Sequence, residues 1–228
     1  VPYRDAIRKK VKVQGKHKKQ SGGHGQYGDV WIEFEPTDSE GLVFEEKVFG
    51  GAVPKNYFPA VEKGLQDAIK SGTLAGFPVV GLKATLLDGS YHPVDSSEQA
   101  FKIAASLAFK AGMEQGGVTL LEPISSVSVH VPDEFQGDII GDITKRRGRI
   151  IGMGTDEAEP VDDKSAILGA DANTAVVICE VPTSEMMEYA TDLKAMTQGR
   201  GWFSIEHARY EPAPNDVAAR IVAENKES

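Results

Sequence analysis

Gly15-Lys-His-Lys-Lys-Gln-Ser-Gly-Gly-His-Gly-Gln-Tyr-Gly28 runs directly into Asp29-Val-Trp-Ile-Glu-Phe-Glu-Pro36, and what those glycines lead into decides the fold class. Residues Gly23–Gly28 satisfy G-x-G-x-x-G, and Val30 extends the match to the kinase pattern G-x-G-x-x-G-x-V. In a dinucleotide fold such a run follows a strand and opens a helix, whose N-terminus holds the pyrophosphate. Here residues 29–36 read as a strand, so no helix dipole is available. A kinase also needs a V-A-I-K strand, an H-R-D loop and a D-F-G triplet, and a P-loop needs G-x-x-x-x-G-K-[ST]. The chain contains none of these.

Outward from that point, residues 3–14 read as one strand, 29–36 as the next and 42–49 as a third. The connection Gly15–Gly28 is then long, polar and glycine-rich, a kind of loop that tends to be functional or disordered. A helix is expected over Val53–Ser71, with Pro54 in its first turn, Phe58, Val61, Leu65, Ala68 and Ile69 on one face, and Gly72 as the stop. Val80, Leu82, Ala84 and Leu86 alternate as a half-buried strand does. After the turn Asp88–Pro93, Ser96 and Gln99 read as a capping box for a helix through Lys110, closed by Gly112.

Gly116-Gly117 marks a boundary, beyond which the pattern restarts. Strand 124–131, helix 133–146, strand 149–154, strand 174–181, helix 183–196 and strand 202–210 give β-α-β-β-α-β, the ferredoxin-like order. Residues 155–173 read as an acidic surface insert. Glu211-Pro-Ala-Pro214 breaks the last strand, and Asn215 caps a terminal helix with Val217, Ile221 and Val222 on one face. A helix this short is marginal alone and must dock on something. The expected fold class is therefore α+β in two domains, 1–119 (with the helix 213–228) and 120–212. Met186, Met187 and Met196 read as core residues. The central strands of the second module offer no aromatic pair for stacking bases, so it reads as a docking module.

The 228 residues are ordinary globular material, 40% hydrophobic and 26% charged. No apolar run is long enough for a transmembrane helix. The single cysteine, Cys179, sits in an apolar run, which points to a reducing cytoplasm rather than a disulfide or a cysteine metal cluster. The histidines (His17, His24, His92, His130, His207) lack metal-ligand spacing, so no metal is expected. No G-x-S-x-G elbow or Cys–His pair is legible, so no catalytic residue is expected. The chain opens Val1-Pro2-Tyr3 without a methionine, as a piece of a longer protein would. The net charge is −9 overall, yet the first thirty residues carry eight Lys or Arg against two acids, +6, leaving −15 for the rest. Such an acidic body repels nucleic acid broadly and lets one end approach it.

That end combines three kinds of group. Lys16, Lys18 and Lys19 supply charge for phosphates. Gly22, Gly23, Gly25 and Gly28 permit positive φ and close backbone approach. Gln20, Ser21, His24 and Gln26 can reach 2′-hydroxyls and base edges in a shallow RNA minor groove. The plain alternative is a flexible hairpin with incidental charge.

Gly15–Gly28, with Asp88-Gly-Ser-Tyr-His92 and Asp95-Ser-Ser-Glu-Gln-Ala-Phe-Lys-Ile-Ala-Ala105, resembles the fourth domain of bacterial translation elongation factor G. Gly137-Asp-Ile-Ile-Gly-Asp142, Arg146-Arg-Gly-Arg149, Tyr189-Ala-Thr-Asp-Leu193 and Met196-Thr-Gln-Gly-Arg-Gly201 resemble its fifth. The motifs span nearly the whole chain in family order; the acidic insert is longer than the family pattern and leaves a paralogue open. The resemblance implies a ribosomal-protein-like first domain with a left-handed β-α-β crossover, onto which the terminal helix packs. It implies a ferredoxin-like second domain near the stalk base and the sarcin–ricin loop. GTP and magnesium would bind in an upstream module, and this chain would hold no cofactor. Partners would be ribosomal RNA and the tRNA–mRNA duplex, with no membrane, for a cytoplasmic monomer. The implied tip contains Lys18, Lys19, Gln20, Ser21, Gly22, Gly23, His24 and Gln26 on one loop and Ser90, Tyr91 and His92 on another. Gln26 and His92 would hydrogen-bond RNA, Gly22 and Gly23 would allow close approach, and Lys18 and Lys19 would hold phosphates during translocation. Recycling, ribosomal protection or a stand-alone RNA-binding role remain the alternatives.

Overall fold

The computed structural model describes residues 1–20, 23–72, 76–156 and 174–226. The chain divides into two compact units, one of Tyr3–Leu121 with Pro212–Ser228, the other of Glu122–Glu211 with Val1–Pro2.

In the first unit the order is β1 (Arg4–Ile7), β2 (Val11–Lys19), β3 (Gln26–Pro36), β4 (Leu42–Glu46), α1 (Phe58–Ser71), β5 (Leu82–Ser90) and α2 (Glu98–Gly116). The sheet runs β2-β3-β5-β4, antiparallel except that β4 lies parallel to β5 across α1, which is the β-α-β unit. One face is covered by the two helices. Val13, Val30, Ile32, Phe34, Leu82, Ala84 and Leu86 from the strands meet Val61, Leu65, Phe101, Ala104, Ala105 and Ala108 from the helices. Each large side chain buried this way is worth about 1.5–3 kcal/mol.

Several boundaries depart from the sequence reading. Residues 3–14 form two strands, because Arg8-Lys9-Lys10 carries the chain from one pairing to another. Thus β1 pairs Arg4 with Leu121 and β2 pairs Val11 with Phe34. Gly15–Gly28 is mostly ladder, not loop: β2 and β3 stay paired out to Lys19 and Gln26. Pro54 precedes a short 3-10 turn, and it is Pro59 that occupies the first turn of α1, which Gly72 (φ 57°) ends. The cap of α2 is Ser97, which accepts the Ala100 N–H at 3.1 Å, rather than Ser96. Gly112 does not stop α2; a Cβ there would lie 2.5 Å from the Phe34 ring, and the helix ends at Gly117 (φ 73°).

The second unit contains most of β6 (Val118–Pro132), then α3 (Gln136–Lys145), β7 (Arg149–Asp156), β8 (Thr174–Pro182), α4 (Tyr189–Met196) and β9 (Trp202–Pro212). Its sheet order β9-β6-β8-β7 is the split β-α-β-β-α-β arrangement. Val127, Val129, Val131, Val177, Cys179 and Val181 pack on Ile139, Ile143, Tyr189 and Leu193. α4 starts later than expected, after a 3-10 turn at Thr183–Met186 and a left-handed Glu188 (φ 63°). Met187 falls in that break and is 67% exposed, so it is not a core residue as the sequence suggested. Residues 157–173 of the expected insert lie outside the described residues. The terminal helix α5 (Asn215–Lys226) belongs to the first unit, where Val217 and Ile221 pack with Leu120, Tyr3 and Phe77. Among the described residues, no helix is long and apolar enough to cross a membrane.

Candidate nucleic-acid interface

At one end of the first unit's sheet the β2–β3 hairpin meets the loop after β5. Tyr27, one pair in from the hairpin end, donates its N–H to Asp95 O at 3.0 Å. Its carbonyl accepts the Ser96 Oγ–H at 2.8 Å, and Ser96 Oγ in turn accepts the His92 N–H at 2.9 Å. One serine hydroxyl thus ties the two loops together. Gly25 makes the same approach from the hairpin side, since a Cβ there would stand 2.8 Å from Asp95 Oδ2.

Within the second loop, His92 Nδ1 accepts the N–H groups of Val94 (3.2 Å) and Asp95 (3.0 Å). With Nδ1 placed as the acceptor of these two N–H groups, Nε2 is left as the ring's donor. The side chain is 51% exposed. Tyr91 and Val94 are exposed beside it.

A polar network anchors the hairpin base. The Asp29 carboxylate, on a residue 7% exposed, accepts from Gln14 Nε2 at 2.8 Å and from Ser90 Oγ at 2.7 Å. Because Ser90 gives its proton to Asp29, the 2.6 Å contact with Tyr27 is donated by the tyrosine hydroxyl. Three strands are joined by one buried carboxylate. At the hairpin end, Gln26 Oε1 lies 2.7 Å from His17 Nε2. Lys18, Lys19, Gln20, Gly23 and His24 are exposed, and Gly23 has φ 141° with open space around it. Ser21 and Gly22 lie outside the described residues.

The structure therefore brings Lys18, Lys19, Gln20, Gly23, His24 and Gln26 to the same end as Tyr91 and His92. It reassigns other residues. Ser90 is bonded on both sides and holds the frame. At Gly28 a Cβ would lie 2.6 Å from Ala100 O, so this glycine lets β3 sit against α2. The carbonyl of Gln26 is engaged by His17, which leaves its amide N–H groups as its donors. Sequence reading missed His17, Tyr27, Asp29, Asp95 and Ser96. The signal for the first three was present, because the lysines of residues 12–18 alternate with period two, as strand residues do.

In the second unit the first two arginines of the R-R-G-R run are structural. Arg146 reaches Asp142 (2.8 Å), Asp192 (2.5 Å) and Glu185 O (2.7 Å) across the Tyr189 ring. Arg147 (φ 60°) makes two 2.9 Å bonds to the nearly buried Glu122. Those bonds outweigh the cost of burial and hold its charge firmly. Trp202, on an edge strand, stacks on His130 at 3.8 Å, an aromatic pair the sequence did not reveal. Cys179 is buried, which pushes its thiol up to about 11, so it is no nucleophile. Among the described residues, no group of three or more His, Cys, Asp or Glu side chains gathers to hold a metal.

Two α+β units, one of them ferredoxin-like, are the architecture of two adjoining domains of a translation factor, and comparison with known proteins says which. Residues 1–117 match the family model for elongation factor G, domain IV, and residues 119–221 match that for the elongation factor G C-terminus. A crystal structure of a Thermus thermophilus protein is 45% identical over 100% of this chain, with a TM-score of 0.86. This chain spans 32% of that protein's length. The chain belongs to the elongation factor G family, and it carries the fourth domain and the C-terminal domain. Neither is the GTPase domain.

Proposed function

We propose that the chain is the ribosome-binding arm of a factor that drives GTP-dependent translocation of tRNA and mRNA in the cytoplasm. GTP and magnesium bind in a separate module of the whole factor, and hydrolysis there favours conformations in which the arm occupies the aminoacyl site. The hairpin end and the His92 loop then enter the decoding region and hold the codon–anticodon duplex against backward slip. Lys18 and Lys19 hold phosphates, while His92 Nε2–H and the Gln26 amide donate to backbone or 2′-hydroxyl oxygens. The second unit docks near the stalk base. The carrying observation is the Ser96 clamp, which fixes two loops rich in exposed donors into one surface.

The test uses the full-length factor. Removing a hydrogen bond to a charged group costs roughly 1.5–3 kcal/mol, on the order of ten- to a hundredfold in rate. His92→Ala therefore slows translocation by about that factor and leaves ribosome-stimulated GTP hydrolysis nearly intact. Equal loss of both activities, or of neither, refutes the assignment. Intact recycling or ribosomal protection without any translocation activity in the wild-type factor identifies a paralogue, the reading the long acidic insert favours.

A further inference from the structure

The outer face of the hairpin, away from α1 and α2, carries a cationic stripe that extends back from the tip's Lys18. The ladder places Val13 and Gly15 on the helix-covered face, so Lys12, Gln14, Lys16 and Lys18 share the opposite one with Tyr27, Asp29 and Trp31 across the strand. β2 is an edge strand of its sheet. Lys12 lies over the Trp31 ring and Lys16 over the Tyr27 ring, each at 5.6 Å from the centroid. All three lysines are exposed.

What distinguishes these lysines is that no carboxylate of the described residues pairs with them, Glu33 opposite Lys12 being taken by Lys10. Lys10, at the other end of the strand, is paired with Glu33 at 3.2 Å and Glu35 at 3.6 Å. Lys83 on the same face is paired with Glu35 and Glu45, each at 3.5 Å. Among the described residues no carboxylate pairs with Lys12, Lys16 or Lys18. The one acid opposite Lys16 is Asp29, whose oxygens are occupied by Gln14 and Ser90. The sheet thus neutralises its cations at one end and leaves them charged along the rest of β2. From Lys12 to Lys18 the stripe runs about 20 Å at the usual strand rise. A chain whose remainder is strongly acidic keeps such a stripe uncompensated only against a polyanion, and the aromatic rings beneath restrict the ammonium groups without discharging them.

We propose that this stripe is an RNA-backbone track leading back from the tip, along which Lys12 and Lys16, continuing from the tip's Lys18, hold phosphates of an RNA strand irrespective of sequence. It rests on the RNA-binding reading above and adds a second contact, along the flank of the arm. Each phosphate neutralised releases counterions, so the track is read by salt dependence rather than by base identity.

The 228-residue chain is titrated with a labelled RNA duplex across a potassium chloride series. Lys12→Gln/Lys16→Gln lowers the slope of log K against log salt by about 1.5, and affinity at low salt falls on the order of tenfold. Lys12→Arg/Lys16→Arg keeps the slope, which separates charge from any effect on folding, and the ion-paired Lys10→Gln leaves it unchanged. An unchanged slope in the double glutamine variant overturns the proposal. So does displacement of the RNA by polyglutamate at equal charge concentration, which assigns the stripe to an acidic protein partner. The tip is read by translocation in the whole factor and the track by this slope, so either can fail without the other.

Discussion

Gly15→Ala separates a packing role from a binding role for the glycines of the basic hairpin. An alanine Cβ at this position would sit 2.0 Å from Ala104 O, 2.5 Å from Ala108 N and 2.8 Å from Ala108 Cβ. The first two are backbone atoms of α2, held by the helix's own hydrogen bonds, so neither can rotate away. β2 and α2 must separate by roughly an ångström or more, opening the contact that buries Val13, Val30, Ala104 and Ala108. Overpacking of this kind costs about 1–3 kcal/mol, and because the clash is with backbone we expect the upper half of that range. At roughly 3–4 °C per kcal/mol for a unit of this size, the melting of the first unit falls by about 6–12 °C. The assay is calorimetry of the isolated chain, with the second unit's transition as an internal reference. Gly41→Ala, where a Cβ meets nothing within 4 Å, is the control and shifts melting by little. A Gly15→Ala variant that melts with the wild type refutes the packing argument and returns this glycine to ligand approach.

Other outcomes follow from the same geometry. Ser96→Ala removes both the acceptor for His92 N–H and the donor to Tyr27 O, about 1–2 kcal/mol together; amide exchange at His92 then quickens on the order of tenfold while the core amides hold. Arg147→Ala strands the Glu122 carboxylate in a nearly buried site and destabilises the second unit by about 3–5 kcal/mol in denaturant melts. The Cys179 thiol, raised by burial, stays protonated in the folded chain well past pH 9. Its stabilising contribution is therefore complete below the unfolded thiol pKa and is lost as pH rises through about 11; native alkylation at pH 8 is far slower than in denaturant.

The second unit is legible in the sequence because each of its elements has its own period and turn signals. Ile139 and Ile143 lie one helical turn apart, and Val127, Val129 and Val131 alternate, as their burial requires. The hairpin misleads because its glycines and lysines signal a loop by residue type, whereas their positions belong to a strand. Gly15 and Gly28 look like loop residues, yet they exist because the alanines of α2 leave room for no side chain opposite them. Ser96 and Ser97 carry the same local capping signal; only the long-range bond from Ser96 to Tyr27 separates them. The adjacency of the two loops has no local signature, since it depends on Asp29 reaching a residue 61 positions away. The lysine alternation is the one clue present in the sequence itself.

The central claim is that the joined loops touch paired RNA in the decoding region, and directed hydroxyl-radical probing tests it most directly. The one thiol of this chain is buried, so His24→Cys in a factor whose cysteines outside the arm are replaced gives one reactive site for an iron chelate. With the full-length factor stalled on ribosomes, cleavage is expected in the tRNA anticodon arm and the adjoining small-subunit RNA. Cleavage confined to RNA remote from the anticodon, or none above background, contradicts the account.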